Sequence, residues 1–206
     1  MRINAIAAAP APAQPTAHPD CELVTRALAG REDGFEELVR RYQRPIAAYV
    51  YRMVGDYDAA LDLTQEVFIK VYGSLARYRP EFKFSTWIYR IAHNSAIDHL
   101  RRTSARLEDL EQGTEDGGSF EKPLASAAPS PEQLSERAER RAEIEEVVQN
   151  LPPAYRELIV LRHALDFSYD EIAEVTGLPL GTVKNRIFRA REAMRAELLS
   201  RGISGV

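Results

Sequence analysis

The chain has 206 residues, with 31 acidic against 27 basic side chains, a formal net charge of -4 and one cysteine, Cys21. That length allows one large or two small domains, and a single cysteine excludes an internal disulfide or a cysteine-built zinc site. His18, His93, His99 and His163 are scattered without metal-ligand spacing, and no apolar run approaches the ~20 residues that cross a bilayer, so neither a metal nor membrane insertion is expected.

Residues 1–20 are rich in alanine and proline and contain one early arginine; they read as a disordered tail rather than a signal peptide. A reducing cytoplasm fits the cysteine usage. From Cys21 to Gly30 an amphipathic helix is predicted with Leu23, Val24, Ala27 and Leu28 inward. Asp33 and Glu36 form a capping signature for a long helix. Its apolar side chains Phe35, Leu38, Val39, Tyr42, Ile46, Tyr49, Val50 and Met53 recur three and four apart. Pro45 predicts a bend in it, and Gly55 its end.

Asp56 opens the next predicted helix, YDAALDLTQEVFIKVYGSL. Leu61, Thr64, Val67, Phe68 and Val71 are assigned to its buried side, and Asp62, Gln65, Glu66 and Ile69 fall together on another face. Carboxylates four apart repel one another in a helix. On spacing alone, such a face is either solvated surface or a dock for a basic partner with Ile69 as apolar anchor.

A cationic stretch follows, ARYRPEFKFSTWIYRIAHNSAIDHLRRTSAR, in which Arg77, Arg79, Lys83, Arg90, Arg101, Arg102 and Arg106 alternate with Tyr78, Phe82, Phe84, Trp87 and Tyr89. Unpaired bases need this combination, because aromatic faces substitute for the neighbouring base while cations track the backbone. Trp87, Ile88, Ile91 and Ile97 form the inner side of a helix begun at Ser85. Phe82, Lys83 and Phe84 fall in the loop before it, where they are candidates for DNA contact.

Residues 107–129 lack apolar periodicity and read as a flexible acidic linker. Order resumes at Ser130-Pro131-Glu132-Gln133 with a cap, a first-turn proline and a capping glutamine, and a charged helix reaches Asn150. Leu151-Pro152-Pro153 breaks it, and a short helix from Ala154 to Leu165 supplies Leu158, Ile159 and Leu161 to the core. Ser168 with Glu171 is a capping box, opening a helix that buries Ile172, Ala173 and Val175 and stops at Gly177. Leu178-Pro179 turns the chain into a longer helix with Val183, Ile187, Ala190 and Met194 inward.

That pair is a helix-turn-helix. The second helix carries Thr182, Lys184, Asn185 and Arg186 near its start, where a recognition helix meets base edges, and Arg189 and Arg191 extend a cationic strip toward phosphates. The overall acidity is no obstacle, since the carboxylates gather elsewhere: Glu108, Asp109, Glu111, Glu115 and Asp116, and again Glu139, Glu143, Glu145 and Glu146. No strand alternation appears, so the expected fold is all-α: two small helical domains joined by the linker, the C-terminal one a four-helix unit.

These motifs in this order resemble an extracytoplasmic-function (ECF) sigma factor of bacterial RNA polymerase. DLTQEVFIKVY resembles the family's polymerase-binding helix, and FSTWIYRIAHNSAIDHLRR its promoter-melting and minus-10 segment. LPPAYRELIVLRHALDFSYDEIAEVTGLPLGTVKNRIFRAR resembles its minus-35 domain. The resemblance implies an N-terminal domain at 21–106, a linker at 107–129 and a C-terminal domain at 130–206. It implies that Asp62, Gln65, Glu66 and Ile69 bind the clamp helices of the polymerase's largest subunit, with a further contact to its flap. Phe82, Lys83 and Phe84 would receive a flipped-out base beside Asn94, Asp98, Arg101 and Arg102, while Thr182, Lys184, Asn185, Arg186, Arg189 and Arg191 would bind the minus-35 duplex. It further implies an anti-sigma partner that restrains a stress-responsive factor, and a linker that either threads toward the RNA exit or is a mere tether. No catalytic residue and no cofactor are expected.

Two other classes are open to test. GTVKNR also resembles the LuxR-type helix-turn-helix, but a receiver or sensor domain would need alternating strands in the N-terminal half. A recombinase or nuclease would need a nucleophile among arginines or a carboxylate metal cluster, and Asp62 with Glu66 lacks further ligands.

Overall fold

The computed structural model describes residues 20–110 and 142–202, with side chains through 106 in the first segment. Of the expected tail at 1–20 only Asp20 is described, and it belongs to the fold; of the expected linker at 107–129 only 107–110 are described, and they are helical, while the cap at Ser130 lies outside the described residues. Asp20 precedes α1 (Cys21–Leu28), is buried, and accepts from the Tyr42 hydroxyl at 2.6 Å and from Arg41. Leu23 and Val24 face inward as expected, whereas Leu28 is exposed at the frayed end of this short helix.

The second helix, α2 (Glu32–Val54), starts one residue before the predicted cap. Asp33 does not cap it, because its carboxylate is taken by Arg26 and Arg31. The helix runs unbroken through Pro45, which lies on the solvent side, and ends at Gly55, where φ of +80° suits a residue with no Cβ. The α1–α2 crossing is close at Gly34, where an added Cβ would stand 2.7 Å from the Ala27 nitrogen and 2.7 Å from the Leu23 oxygen.

Asp56 caps α3 (Tyr57–Ser74) by accepting from the Ala59 amide at 2.7 Å. Its buried stripe is Ala60, Leu63, Thr64, Val67 and Val71. The expected Leu61 is exposed, since a 100° step per residue gives the inward position to Leu63 and Thr64 instead. A 3-10 turn (Leu75–Arg77) and a short loop lead to α4 (Phe84–Leu110). Phe84 is the first residue of that helix and fully buried against Tyr42, Tyr78 and Trp87, so it leaves the set of loop side chains available to DNA.

Among the described residues the C-terminal unit holds four helices. Residues 142–150 form α5, followed by α6 (Pro153–Ile159), a π-helical turn (Val160–Ala164) in place of the expected continuation to Leu165, α7 (Tyr169–Thr176) and α8 (Leu180–Ser200). Ser168 and Glu171 make the capping box in both directions, and Gly177 ends α7 with φ of +71°. Among the described residues there is no strand.

The two units pack against each other, α7 on α4 and α6 near the end of α2. Tyr89 meets Phe167 edge to face at 5.2 Å, and Arg52 pairs with Glu145 at 2.8 Å. Arg156 reaches across to the Met53 carbonyl at 2.7 Å while also donating to the Gln149 and Leu151 carbonyls of its own unit. Buried apolar side chains run from one unit into the other without interruption.

Candidate nucleic-acid and protein interfaces

On α3 the face opposite Leu63 and Val67 exposes Asp62, Gln65, Glu66 and Ile69 together, with Ile69 72% exposed. Leu61 and Tyr72 also stand in solvent there, which the sequence pattern missed. Both are off the phase of the buried stripe, a signal that was available. Lys70 is drawn toward Glu66 at 3.5 Å and Ser95 at 2.8 Å, and among the described residues no cation pairs with Asp62. The result is an apolar strip edged by carboxylates.

Across the N-terminal unit, Arg77, Tyr78, Arg79, Phe82, Thr86, Trp87, Arg90 and Glu174 line a groove of about 290 Å³. The loop that makes its rim is held from beneath, because the Tyr78 hydroxyl donates to the Phe82 carbonyl at 2.6 Å. Burial and a contact with Cys21 raise the Tyr78 phenol above its usual value, so it remains a donor throughout the physiological range. Phe82 is 48% exposed, and Trp87 is half-buried on the wall. Lys83 also points outward, but its ammonium pairs with Glu171 at 2.7 Å.

Beyond the groove, Arg90, Asn94, Asp98 and Arg101 recur every three or four residues along the exposed side of α4, with Arg102 beside them. Arg101 approaches Asp98 at 3.7 Å and Arg102 donates to the Asp98 carbonyl at 3.3 Å. These residues share one exposed side of α4, which meets the groove at Arg90, whereas Phe84 is buried.

Helix α8 projects Lys184, Asn185, Arg189 and Arg191 into solvent, while Thr182 and Arg186 are half-buried. Arg191 donates to His163 at 3.3 Å, tying α8 to the turn after α6. Burial and the flanking Arg191 and Arg162 hold His163 below its ordinary pKa, so it is a neutral acceptor. Phe188 is 64% exposed between Lys184 and Arg189, an aromatic side chain that sequence reasoning passed over although it is out of phase with Val183, Ile187 and Ala190.

The unit interface buries a third cluster. His93 on α4 stands 3.7 Å from Glu157 on α6, and Tyr49 on α2 lies 3.4 Å from the same imidazole nitrogen. Burial pushes the Glu157 carboxyl up to about 7, against a smaller opposing pull from Arg186 on α8, and pushes His93 down to about 4. A carboxyl whose folded pKa is raised favours folding fully below its unfolded pKa and loses that contribution as pH rises through the folded value. Glu157→Gln should therefore be more stable than the parent near pH 8 by up to roughly 3 kcal/mol, with most of the advantage gone near pH 5. His93 loses stability as pH falls between its unfolded and folded values in both proteins, so it cancels from the comparison. Urea midpoints at the two pH values check this; an equal gap at both contradicts it.

Among the described residues, no three His, Cys, Asp or Glu side chains gather as a metal requires, and no helix is long and apolar enough to cross a membrane.

Two family models match the chain, Sigma-70 region 2 over residues 38–106 and Sigma-70, region 4 over residues 141–194. The RNA polymerase sigma-H factor of Pseudomonas aeruginosa is 40% identical over 180 residues, covering 87% of this chain and 93% of that protein. The ECF RNA polymerase sigma factor SigW of Bacillus subtilis is 36% identical over 170 residues, covering 82% and 91%. Among solved structures, the sigma factor RpoE of Bartonella quintana, in complex with the anti-sigma factor NepR, is similar with a TM-score of 0.64 at 21% identity, over 80% of this chain and 96% of that one.

Proposed function

The chain belongs to the extracytoplasmic-function (ECF) sigma factors, transcription initiation factors that direct bacterial RNA polymerase to promoters, and from that premise we propose how its surfaces divide the work. Asp62, Gln65, Glu66 and Ile69, with Leu61 and Tyr72 beside them, dock on the basic clamp helices of the polymerase's largest subunit. The groove at Phe82 and Trp87 takes an unpaired base of the minus-10 element, and Lys83, Arg77, Arg79 and Arg90 follow its backbone. Extruding a base costs a few kcal/mol, which stacking and phosphate contacts offset. Asn94, Asp98, Arg101 and Arg102 extend that contact along α4.

Lys184, Asn185, Phe188 and Arg189 enter the major groove at the minus-35 element, with Thr182 and Arg191 nearer the phosphates. Arg186, half-buried close to Glu157, reaches a base edge only by turning outward. The C-terminal unit also meets the polymerase flap, and the factor works in the cytoplasm, without catalysis or cofactor, under an anti-sigma partner. Support for such a partner is that the Bartonella quintana relative was solved with one. The LuxR-type alternative is not favoured, since the N-terminal half matches Sigma-70 region 2 rather than a sensor or receiver.

The observation that carries this reading is charge segregation on one acidic chain: an acid-edged apolar face on α3, and cationic faces on α4 and α8. Its test is reconstitution. Core polymerase with the purified chain should start transcription at a subset of genomic promoter fragments, whereas either component alone should not. Arg189→Ala should weaken binding to the upstream duplex of those promoters by about 1–3 kcal/mol if it reads a base edge. Equal weakening on every DNA sequence would reduce Arg189 to a phosphate contact, and silence at all fragments would overturn the function itself.

A further inference from the structure

The π-helical turn after α6 brings Arg162 and His163 to the edge of α8. Arg162 is pinned there: it donates to the Phe167 carbonyl at 2.8 Å, and its guanidinium lies 5.3 Å from the centre of the Tyr169 ring. His163 is exposed, and its Nε2 accepts from the Arg191 Nε at 3.3 Å, which leaves the proton of the neutral ring on Nδ1. Among the described residues Arg191 pairs with no carboxylate, whereas Arg195 on the same helix pairs with Glu192.

This group of side chains is short of an anion. Partial burial, Arg191 and Arg162 all disfavour a second proton on His163, and the one acid that faces the ring, Asp166, does not offset them. Holding Arg191 by its Nε leaves the two terminal nitrogens of the guanidinium, the fork that grips phosphate, without a partner among the described residues. A phosphate oxygen arriving at that fork offsets both arginine charges, and the repulsion that kept the ring neutral is relieved.

We infer that His163 is a proton-linked member of the phosphate-binding face of the C-terminal unit: while neutral it holds Arg191 in place, and on contact with the DNA backbone it takes up a proton and becomes a further cation beside that arginine. The inference rests on the reading of Arg191 as a phosphate contact of the minus-35 duplex. A group whose pKa is higher in a complex than in the free chain strengthens binding fully below its free value and ceases to do so as pH rises through its bound value. Duplex affinity therefore falls from pH 6 toward pH 8. The effect is independent of base sequence, since a backbone contact carries none.

The probe is a fluorescein-labelled, random-sequence DNA duplex of about 20 base pairs, two helical turns, titrated by anisotropy into the full chain near pH 6 and near pH 8 at a series of salt concentrations. The parent should bind about fivefold more tightly near pH 6, each unit of pKa gained being worth up to about tenfold. Its slope of log affinity against log salt should be steeper there by about 0.9, as one more phosphate is neutralised. His163→Gln keeps a neutral acceptor for Arg191 but takes up no proton, so its affinity should lack that fivefold change. Glu157 and the other groups that titrate in this range are common to both proteins and cancel in the comparison. The same pH dependence in parent and variant overturns the proton linkage while leaving the phosphate role of Arg191 intact. Arg191→Ala tests that role: near pH 8 it should bind more weakly, with a slope shallower by about 0.9. An unchanged slope places the duplex elsewhere, which overturns the reading of Arg191 and the inference with it.

Discussion

Core RNA polymerase retains the parent chain but not a variant carrying Asp62→Lys and Glu66→Lys: this is the expected outcome of a pull-down, with at least a ~100-fold loss of affinity. Two interfacial carboxylates become cations facing a basic partner, and each reversed contact removes an attraction worth roughly 2 kcal/mol or more and adds a repulsion. The fold should survive. Both residues are exposed, and Lys70, which now leans toward Glu66, merely becomes the third cation of a row; like charges four apart cost a helix a few tenths of a kcal/mol. Helix content and melting temperature should therefore match the parent. Unchanged retention on polymerase would move the docking face away from α3.

The largest loss of stability is expected at Gly34. Alanine there gains about 1 kcal/mol of helix propensity, yet its Cβ must occupy space 2.7 Å from two backbone atoms of α1 and 2.9 Å from the Arg26 Cβ. Backbone cannot rotate aside, so α1 has to move as a body and drag Leu23 and Val24 out of the core. Overpacking of that kind costs about 1–3 kcal/mol or more, which outweighs the propensity gain. Gly34→Val should fare worse than Gly34→Ala, the former losing roughly 5–10 °C of melting temperature. Gly181→Ala serves as the control: nothing lies within 4 Å of its added Cβ in α8, and it should stabilise slightly. Gly34→Ala as stable as the Gly181 variant would show that the helices do not approach so closely.

The sequence was most informative where a decision is local. Asp56 and the Ser168–Glu171 box cap their helices, and Gly55 and Gly177 end theirs, because each acts on amides or carbonyls within one turn of itself. The same logic failed at Asp33, where Arg26 and Arg31 outcompete the local amides. For α3 the exposed acid face was legible from spacing, but the inward stripe was misread at Leu61, since an apolar residue can serve a docking face as well as a core. Phe84 could not be told from Phe82 by composition. What separates them is the aromatic nest of Tyr42, Tyr78 and Trp87, assembled from three elements. The packing of α7 on α4 was invisible for a related reason. Tyr89, Phe167, His93 and Glu157 come from distant segments, and no periodicity names a residue's partner across an interface.

Arg156 makes that packing reversible in an unusual way. Two of its three carbonyl partners, Gln149 and Leu151, are on its own side of the junction, and only Met53 lies across it. Pulling the halves apart breaks one thread of the knot and leaves the others tied, while the Met53 carbonyl at the end of α2 finds water. Parting the halves still breaks the Arg52–Glu145 pair and the shared apolar core, but the Arg156 knot inside the C-terminal half survives it.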